Sequence, residues 1–231
     1  MNDYIFCVST KDPEEECLFK NISLLNKHYN KPEIHIIDSK SEQTLGYNSI
    51  KEFDNVKTHY ADNVNYELGA WRYAVDNIPA ENYICIQDSL FIEKKIDFNF
   101  SEADVYSFNL YWGWFSCFDE SYLIEMYEKA INFLTKDTVY YDQCWQSWID
   151  RDKQFNLITH NSFGCKGSIL RDIFSNFKNL PTNKIHSCAT ERLMYWVFSH
   201  HTSKIVPINN INVYDGDKTE IIWNKIHGHR Q

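Results

Sequence analysis

The sequence predicts an α/β fold: one domain built on a mostly parallel central sheet flanked by helices. Three observations carry this. Short apolar runs alternate with segments of helical period through the first half of the chain, the pattern of a parallel sheet covered by helices. The 231 residues hold only 7 Gly and 5 Pro, too little linker material to separate domains, and no repeat or charge block interrupts them. Hydrophobic residues at 43% and charged residues at 24% are ordinary for a globular chain and set aside an extended disordered one. A chain of this length buries roughly 70% of its unfolded surface, so its core requires neither disulfide nor metal.

The elements follow in order. Tyr4–Ser9 is a short apolar strand closed by the turn signal Thr10-Lys-Asp-Pro. Glu14–Tyr29 is a helix with Cys17, Leu18, Ile22, Leu24 and Leu25 at helical spacing. Glu33–Asp38 follows Pro32 as a second strand ending in an acid, and Val56–Tyr60 is a weaker third. Tyr66–Ile78 is a helix with Leu68, Trp71, Val75 and Ile78 on one side; Tyr83–Asp88 and Val105–Tyr111 are the fourth and fifth strands. The second half reads as more helical. Tyr122–Leu134 and Asp142–Arg151 are helices, the latter capped by Asp142, and Phe155–Cys165 returns to the sheet. Ser168–Phe177 is a helix with Ser168 as N-cap, and a helix over Thr190–His200 starts at Thr190-Glu191. Lys204–Ile208 is a strand whose Pro207 marks a sheet edge.

Charge and cysteines narrow the function. Lys+Arg 23 against Asp+Glu 32 gives a net charge of -9, and no basic run exceeds Lys94-Lys95, which argues against a dedicated nucleic-acid binder. A nucleotide ligand remains compatible, because one or two cations and backbone N–H groups suffice for a diphosphate. No stretch approaches the ~18 apolar residues of a transmembrane segment. The opening residues lack a basic n-region and read as a strand rather than a signal peptide. The seven cysteines are scattered with no C-x-x-C, so free thiols in a reducing cytoplasm are expected.

In parallel sheets ligands bind beyond the carboxyl ends of the strands, so Ser9, Thr10, Asp38 and Asp88 are expected on one rim. Asp88 at a strand tip suits a hard divalent cation, Mg²⁺ or Mn²⁺, bridging to a diphosphate; the alternative is that Asp88-Ser89 only makes the turn. Asn65-Tyr-Glu-Leu-Gly-Ala-Trp-Arg and Gln87-Asp88-Ser89 together resemble the GT-A-fold glycosyltransferases, closest to small polysaccharide-biosynthesis and virus-type nucleotide-sugar transferases. The resemblance implies a GT-A-like, Rossmann-type sheet, with residues 1–110 as a nucleotide-sugar-binding half and 111–231 as an acceptor-binding half. It further implies that Ser9, Thr10 and Asp38 approach the base and ribose, and that Asn65, Glu67 and Arg72 line the donor sugar and diphosphate. Such enzymes usually carry D-x-D at the strand tip. Gln87-Asp88-Ser89 has one carboxylate, which fits either a cation site completed by another ligand or a metal-free enzyme. The residues themselves leave alternatives open: Arg72 suits a phosphate fork or an i,i+4 bridge to Asp76, Glu67 is also a favourable first-turn acid, and Trp71 reads as core.

A later block, Asn161-Ser-Phe-Gly-Cys-Lys-Gly followed by Ala189-Thr-Glu-Arg, resembles the second half of these transferases. It implies Glu191 as catalytic base, taking the acceptor hydroxyl's proton, and hence an inverting transfer; a bare helix start is the alternative. For the tail His227-Gly-His229-Arg230, the resemblance to GT-A enzymes implies further ligands, with His227 and His229 on the cation and Arg230 on the leaving diphosphate; the alternative is a frayed end. Trp112, in Tyr111-Trp-Gly-Trp-Phe after the fifth strand, suits stacking on an acceptor sugar or core packing. Lys184, His186 and Arg171 have no assigned role. The expected activity is transfer of a sugar from a nucleoside-diphosphate donor to a hydroxyl of a glycan-type acceptor. The rivals are a sugar nucleotidyltransferase, for which no Gly-rich basic loop follows the first strand, and a non-catalytic carbohydrate- or nucleotide-binding protein on the same sheet.

Overall fold

The computed structural model describes residues 3–110, 129–130, 132–134, 157–209 and 223–225. The strands are β1 (Tyr4–Thr10), β2 (Ile34–Ser39), β3 (Val56–Ala61), β4 (Asn82–Gln87), β5 (Leu90–Ile92), β6 (Val105–Leu110), β7 (Leu157–Lys166), β8 (Ile205–Asn209) and β9 (Trp223–Lys225). The helices are α1 (Glu15–Tyr29), α2 (Tyr66–Asn77), α3 (Gly167–Asn176) and α4 (Lys184–His201), with a 3-10 turn over Leu45–Ile50. Residues 129–130 and 132–134 are helical, within the helix expected over 122–134, whereas the helix expected over 142–151 lies outside the described residues.

Seven strands form one sheet in the order β3-β2-β1-β4-β7-β6-β8. The pairs β1–β2, β2–β3, β1–β4 and β6–β8 are parallel; β7 runs antiparallel to both β4 and β6. β8 is at the edge, where Pro207 removes no needed donor. Alternation on β1 assigns the two faces. Phe6 and Val8 pack with Leu18, Ile22, Leu25 and Tyr29 of α1 on one side. Ile5 and Cys7 pack with Leu68, Trp71 and Ala74 of α2 and Leu193, Met194 and Val197 of α4 on the other. The α1 stripe at i, i+4, i+7 and i+11 explains why that helix covers the sheet, and Asn30, left-handed at φ 53°, ends it. Cys7, Cys85 and Cys165 are buried free thiols; Cys17 and Cys188 are free and partly exposed. No helix among the described residues is long and apolar enough to cross a membrane.

Two expected helix starts are corrected. α3 opens at Gly167, with Lys166 rather than Ser168 in the cap position. The strand runs directly into the helix because Gly167 N–H donates to the Glu81 carbonyl at 2.7 Å, where a side chain would collide with the carbonyls of Ala80 and Glu81. α4 opens at Lys184, not Thr190. Asn183 caps it by accepting from His186 N–H at 2.9 Å, and Thr190 instead donates back to the Ser187 carbonyl at 2.6 Å. Glu191 is therefore in the helix interior, and no helix-terminal dipole acts on it.

The tip of β4 is held from α1. Asn21, buried, donates through Nδ2 to the carbonyls of Asp88 (2.9 Å) and Leu90 (2.7 Å), and Asp88 N–H extends the β1 ladder to the Ser9 carbonyl at 3.0 Å. Asn21 Oδ1 is buried without a partner among the described residues, which offsets part of that gain. Asn21→Leu is expected to destabilise the fold by about 1–3 kcal/mol. The reading is a lower urea midpoint with an unchanged m-value.

Candidate active site

Strand order reverses beside β1. The connection through α1 leads from β1 to β2 on one side, and the one through α2 leads from β3 back to β4 on the other. The two helices cover opposite faces, which leaves a crevice beyond the carboxyl ends of β1 and β4. A cavity of about 560 Å³ occupies that crevice, well inside the range of roughly 300–1,000 Å³ for small-molecule sites. A second cavity, of about 880 Å³, lies at the opposite rim by the amino ends of β1, β2 and β4 and is remote from the strand tips.

The first cavity is polar and charged. Ser9, Thr10 and Lys11 come from the end of β1 and the residue after it, Ser39 and Lys40 likewise from β2, and Gln87 from the end of β4, followed by Asp88 and Ser89. Asp88 is 4% exposed, and its Oδ2 accepts the Thr10 hydroxyl at 2.6 Å. Glu67, in the first turn of α2, accepts from Gln87 Nε2 through one oxygen and from Ser187 Oγ at 3.5 Å through the other. Asn63 shapes the entrance, donating to Ser39 Oγ and the Tyr66 carbonyl and accepting from Asn65 N–H. Lys11, Lys40 and Lys184 bring three cations, against the carboxylates of Glu14, Glu67 and Asp88, and Lys40 is paired with Asp62 at 2.9 Å.

His160 reaches the cavity from β7 by a break in the ladder. Ser107 pairs with Phe163 and Asn109 with Ile158, so β7 advances five residues while β6 advances two. The surplus segment holds His160 and Asn161 at φ 49° and 50°, a left-handed conformation that costs about 1–2 kcal/mol for each non-glycine residue. Tertiary bonds fix it. Trp71 Nε1 donates to the Asn161 carbonyl at 2.9 Å, and Asn161 Nδ2 donates to Thr190 Oγ1 at 3.0 Å. His160 Nδ1 lies 3.8 Å from Glu191 Oε1.

The sequence matches no protein-family model and no curated protein at a significant level. Solved structures do match. The S. aureus TarS fragment 1-349 in complex with UDP gives a TM-score of 0.51 at 12% identity, over 89% of this chain and 57% of that one. S. aureus TarS itself gives 0.50 at 12% identity, over 90% and 35%. Core-mannan synthase A from Aspergillus fumigatus, in its Mn/GDP form, gives 0.50 at 8% identity, over 90% and 73%. The fold is GT-A. This chain spans a little over half of the TarS fragment it matches.

On this GT-A frame the expected residues separate into three groups. Ser9, Thr10, Glu67 and Asp88 line the cavity together. Asp38, Asn65, Arg72 and Glu191 do not. Asp38 is at the same rim, opposite Thr10 in the ladder, but its carboxylate is turned inward: one oxygen accepts Ser41 N–H at 2.8 Å and the other accepts the Tyr47 hydroxyl. Burial and that bond to Asp38 push the Tyr47 phenol well above its ordinary pKa. Asn65 spends its amide on the Pro181 carbonyl at 2.9 Å. Arg72 bridges Asp76 at 2.6 Å, the i,i+4 alternative, and donates to the Phe174 carbonyl at 3.1 Å. Trp71 is fully buried in the core. Trp112, His227, His229 and Arg230 lie outside the described residues.

Among the described residues no three His, Cys, Asp or Glu side chains converge as a cation site, so Asp88 alone does not make one. Sequence reasoning missed Lys11, Lys40, Lys184 and His160. The first two follow strand ends and were open to the same rim argument; Lys184 and His160 depend on how the second half folds back. Arg72→Ala is expected to leave nucleotide affinity within about twofold and to cost at most about 1 kcal/mol of stability, as an exposed i,i+4 pair does. Calorimetric titration and urea unfolding of that variant check both.

Proposed function

We propose that this chain is a glycosyltransferase that moves a sugar from a nucleoside-diphosphate donor to a hydroxyl of a glycan-type acceptor. The observation that carries the proposal is the charged cavity at the strand-order reversal of a GT-A fold, with Thr10, Asp88 and Glu67 on one wall and three lysines around it. In a chain of net charge -9, lysines gathered at one rim are the groups suited to a diphosphate. The nucleoside lies against Ser9 and Thr10, the diphosphate against Lys11 and Lys184, and the donor sugar against Glu67 and Asp88.

A divalent cation belongs to this reading only with ligands added to Asp88. Its chemistry would be to neutralise diphosphate oxygens as the bond to the sugar breaks. His227 and His229 are the candidates. Supporting them, β9 pairs antiparallel with β5, with Lys225 opposite Leu90, so the chain returns two residues from Asp88 and two residues before His227. Arg230 follows as a further cation for the leaving group. The acceptor approaches beside Trp112; β6, whose carboxyl end it follows, runs in the same direction as β4 and ends at the same rim. Supporting a reducing, cytoplasmic setting are five free cysteines among the described residues.

Thermal-shift measurements with UDP, GDP, CDP, TDP and their sugars, with and without Mn²⁺, test the proposal. One base is expected to raise Tm by about 5–10 °C at a hundredfold excess over Kd. The Mn²⁺-dependent part should vanish in Asp88→Asn, which keeps an acceptor for the Thr10 hydroxyl but loses the charge. A shift indifferent to Mn²⁺ removes the cation and leaves the diphosphate to the lysines. A shift with no sugar release from any donor makes the chain a binding protein, the reading that the single strand-tip carboxylate favours. No shift with any nucleotide overturns the proposal.

A further inference from the structure

We infer that His160, and not Glu191, takes the proton from the attacking hydroxyl, with Glu191 as a positioning residue behind it. The inference rests on the transferase reading and deepens it. Of the two, His160 lines the donor cavity and Glu191 does not. Glu191 is 9% exposed in the interior of α4 and is removed from the helix terminus that would have favoured its ionised form.

The bulge is what brings the imidazole there. An unbroken β7 would carry residue 160 along the ladder with β6; a surplus of three residues, with His160 and Asn161 in the left-handed region, lifts it out. Asn161 anchors the loop to Trp71 and Thr190 from below, and Thr190 adjoins Glu191, so one turn of α4 fixes both the bulge and the carboxylate that meets the ring. Nδ1 lies 3.8 Å from Glu191 Oε1, beyond hydrogen-bond distance in this state; a carboxylate on that side favours the proton on Nδ1, which leaves Nε2 as the basic nitrogen. In the transfer, the acceptor O–H bond breaks and its proton goes to Nε2. The hydroxyl oxygen forms the bond to the anomeric carbon, and the bond from that carbon to the diphosphate breaks with its electron pair leaving on the nucleoside diphosphate. Glu191 then steadies the imidazolium, as a carboxylate beside a charged ring does.

Among the described residues, the charged groups that line the cavity with His160 are Glu67 from α2, Asp88 just beyond β4, Lys184 from α4, and Lys11, Glu14 and Lys40, while Glu191 of α4 meets the ring from behind. Glu191 is within ion-pair distance of His160, so its removal should act on the histidine's proton affinity.

The test uses the full chain and the nucleotide sugar giving the largest thermal shift, with water as acceptor and nucleoside-diphosphate release as readout. His160→Asn is the variant of choice, since asparagine adopts the left-handed backbone at least cost after glycine. It should bind the nucleoside diphosphate within about threefold of wild type and lose about 10²–10⁴-fold in release rate. Glu191→Gln should keep a measurable rate and move the acid limb of the pH–rate profile down by about one unit, because the imidazolium loses its counter-charge. If His160→Asn fails to fold, that pH shift in Glu191→Gln decides alone, since a merely structural role leaves the limb in place. A near-normal His160→Asn with an inactive Glu191→Gln, or an unshifted limb, overturns the assignment while leaving the transferase reading intact. Wild-type chain that binds a nucleotide sugar but releases no nucleoside diphosphate overturns both.

Discussion

The parallel pairing of β1 with β4 is the constraint on which the cavity depends. Strands on either side of this pair belong to connections that turn away from each other, so neither α1 nor α2 closes over the two tips. The gap survives only while the tips stay level. Asp88 N–H on the Ser9 carbonyl and Thr10 Oγ1 on the Asp88 carboxylate level them from within the sheet, and the Asn21 amide does so from the helix beneath. A buried asparagine in the apolar stripe of α1 looks like a fault in helical patterning. In the structure it satisfies carbonyls that a turn immediately after a strand would leave without donors.

The strands and most helix bodies were legible because burial enforces period: β1 hides both faces and reads as a continuous apolar run, and α1 hides one and reads as a stripe. Strand-tip residues were legible for a related reason, since the rim is fixed once strand direction is. Side-chain aim was not. Asp38 occupies the rim position expected of it, yet Tyr47, nine residues later in the short 3-10 turn, draws its carboxylate inward. Arg72 had two suitors of similar strength on paper, and the nearer one, Asp76, holds it. Glu191 was displaced from its expected helix terminus because Asn183, after a proline, is the stronger stop for the preceding chain and caps the helix two turns earlier.

His160 shows why the rest stayed hidden. Thr159-His160-Asn161-Ser162 holds no glycine, and although histidine and asparagine visit the left-handed region more readily than most residues, the pair alone does not mark a bulge. The conformation is imposed by Trp71 on α2 and Thr190 on α4, residues remote in sequence that meet only after the sheet has been covered. Local strain held by distant partners is the situation in which sequence-local reasoning must fail.

The central position of β4 also has a cost in time. Its partner on one side, β1, precedes it on the chain, but its partner on the other, β7, begins only at Leu157. Until that strand arrives, Asn82–Ile86, apolar for most of its length and destined for burial on both faces, stands as an open edge with unpaired N–H and carbonyl groups. Non-local closure of this kind is slow, and an apolar edge left waiting is where one folding chain recruits another. The strand that carries Asp88 to the cavity is thus also the segment through which this protein is most exposed to self-association before its fold is complete.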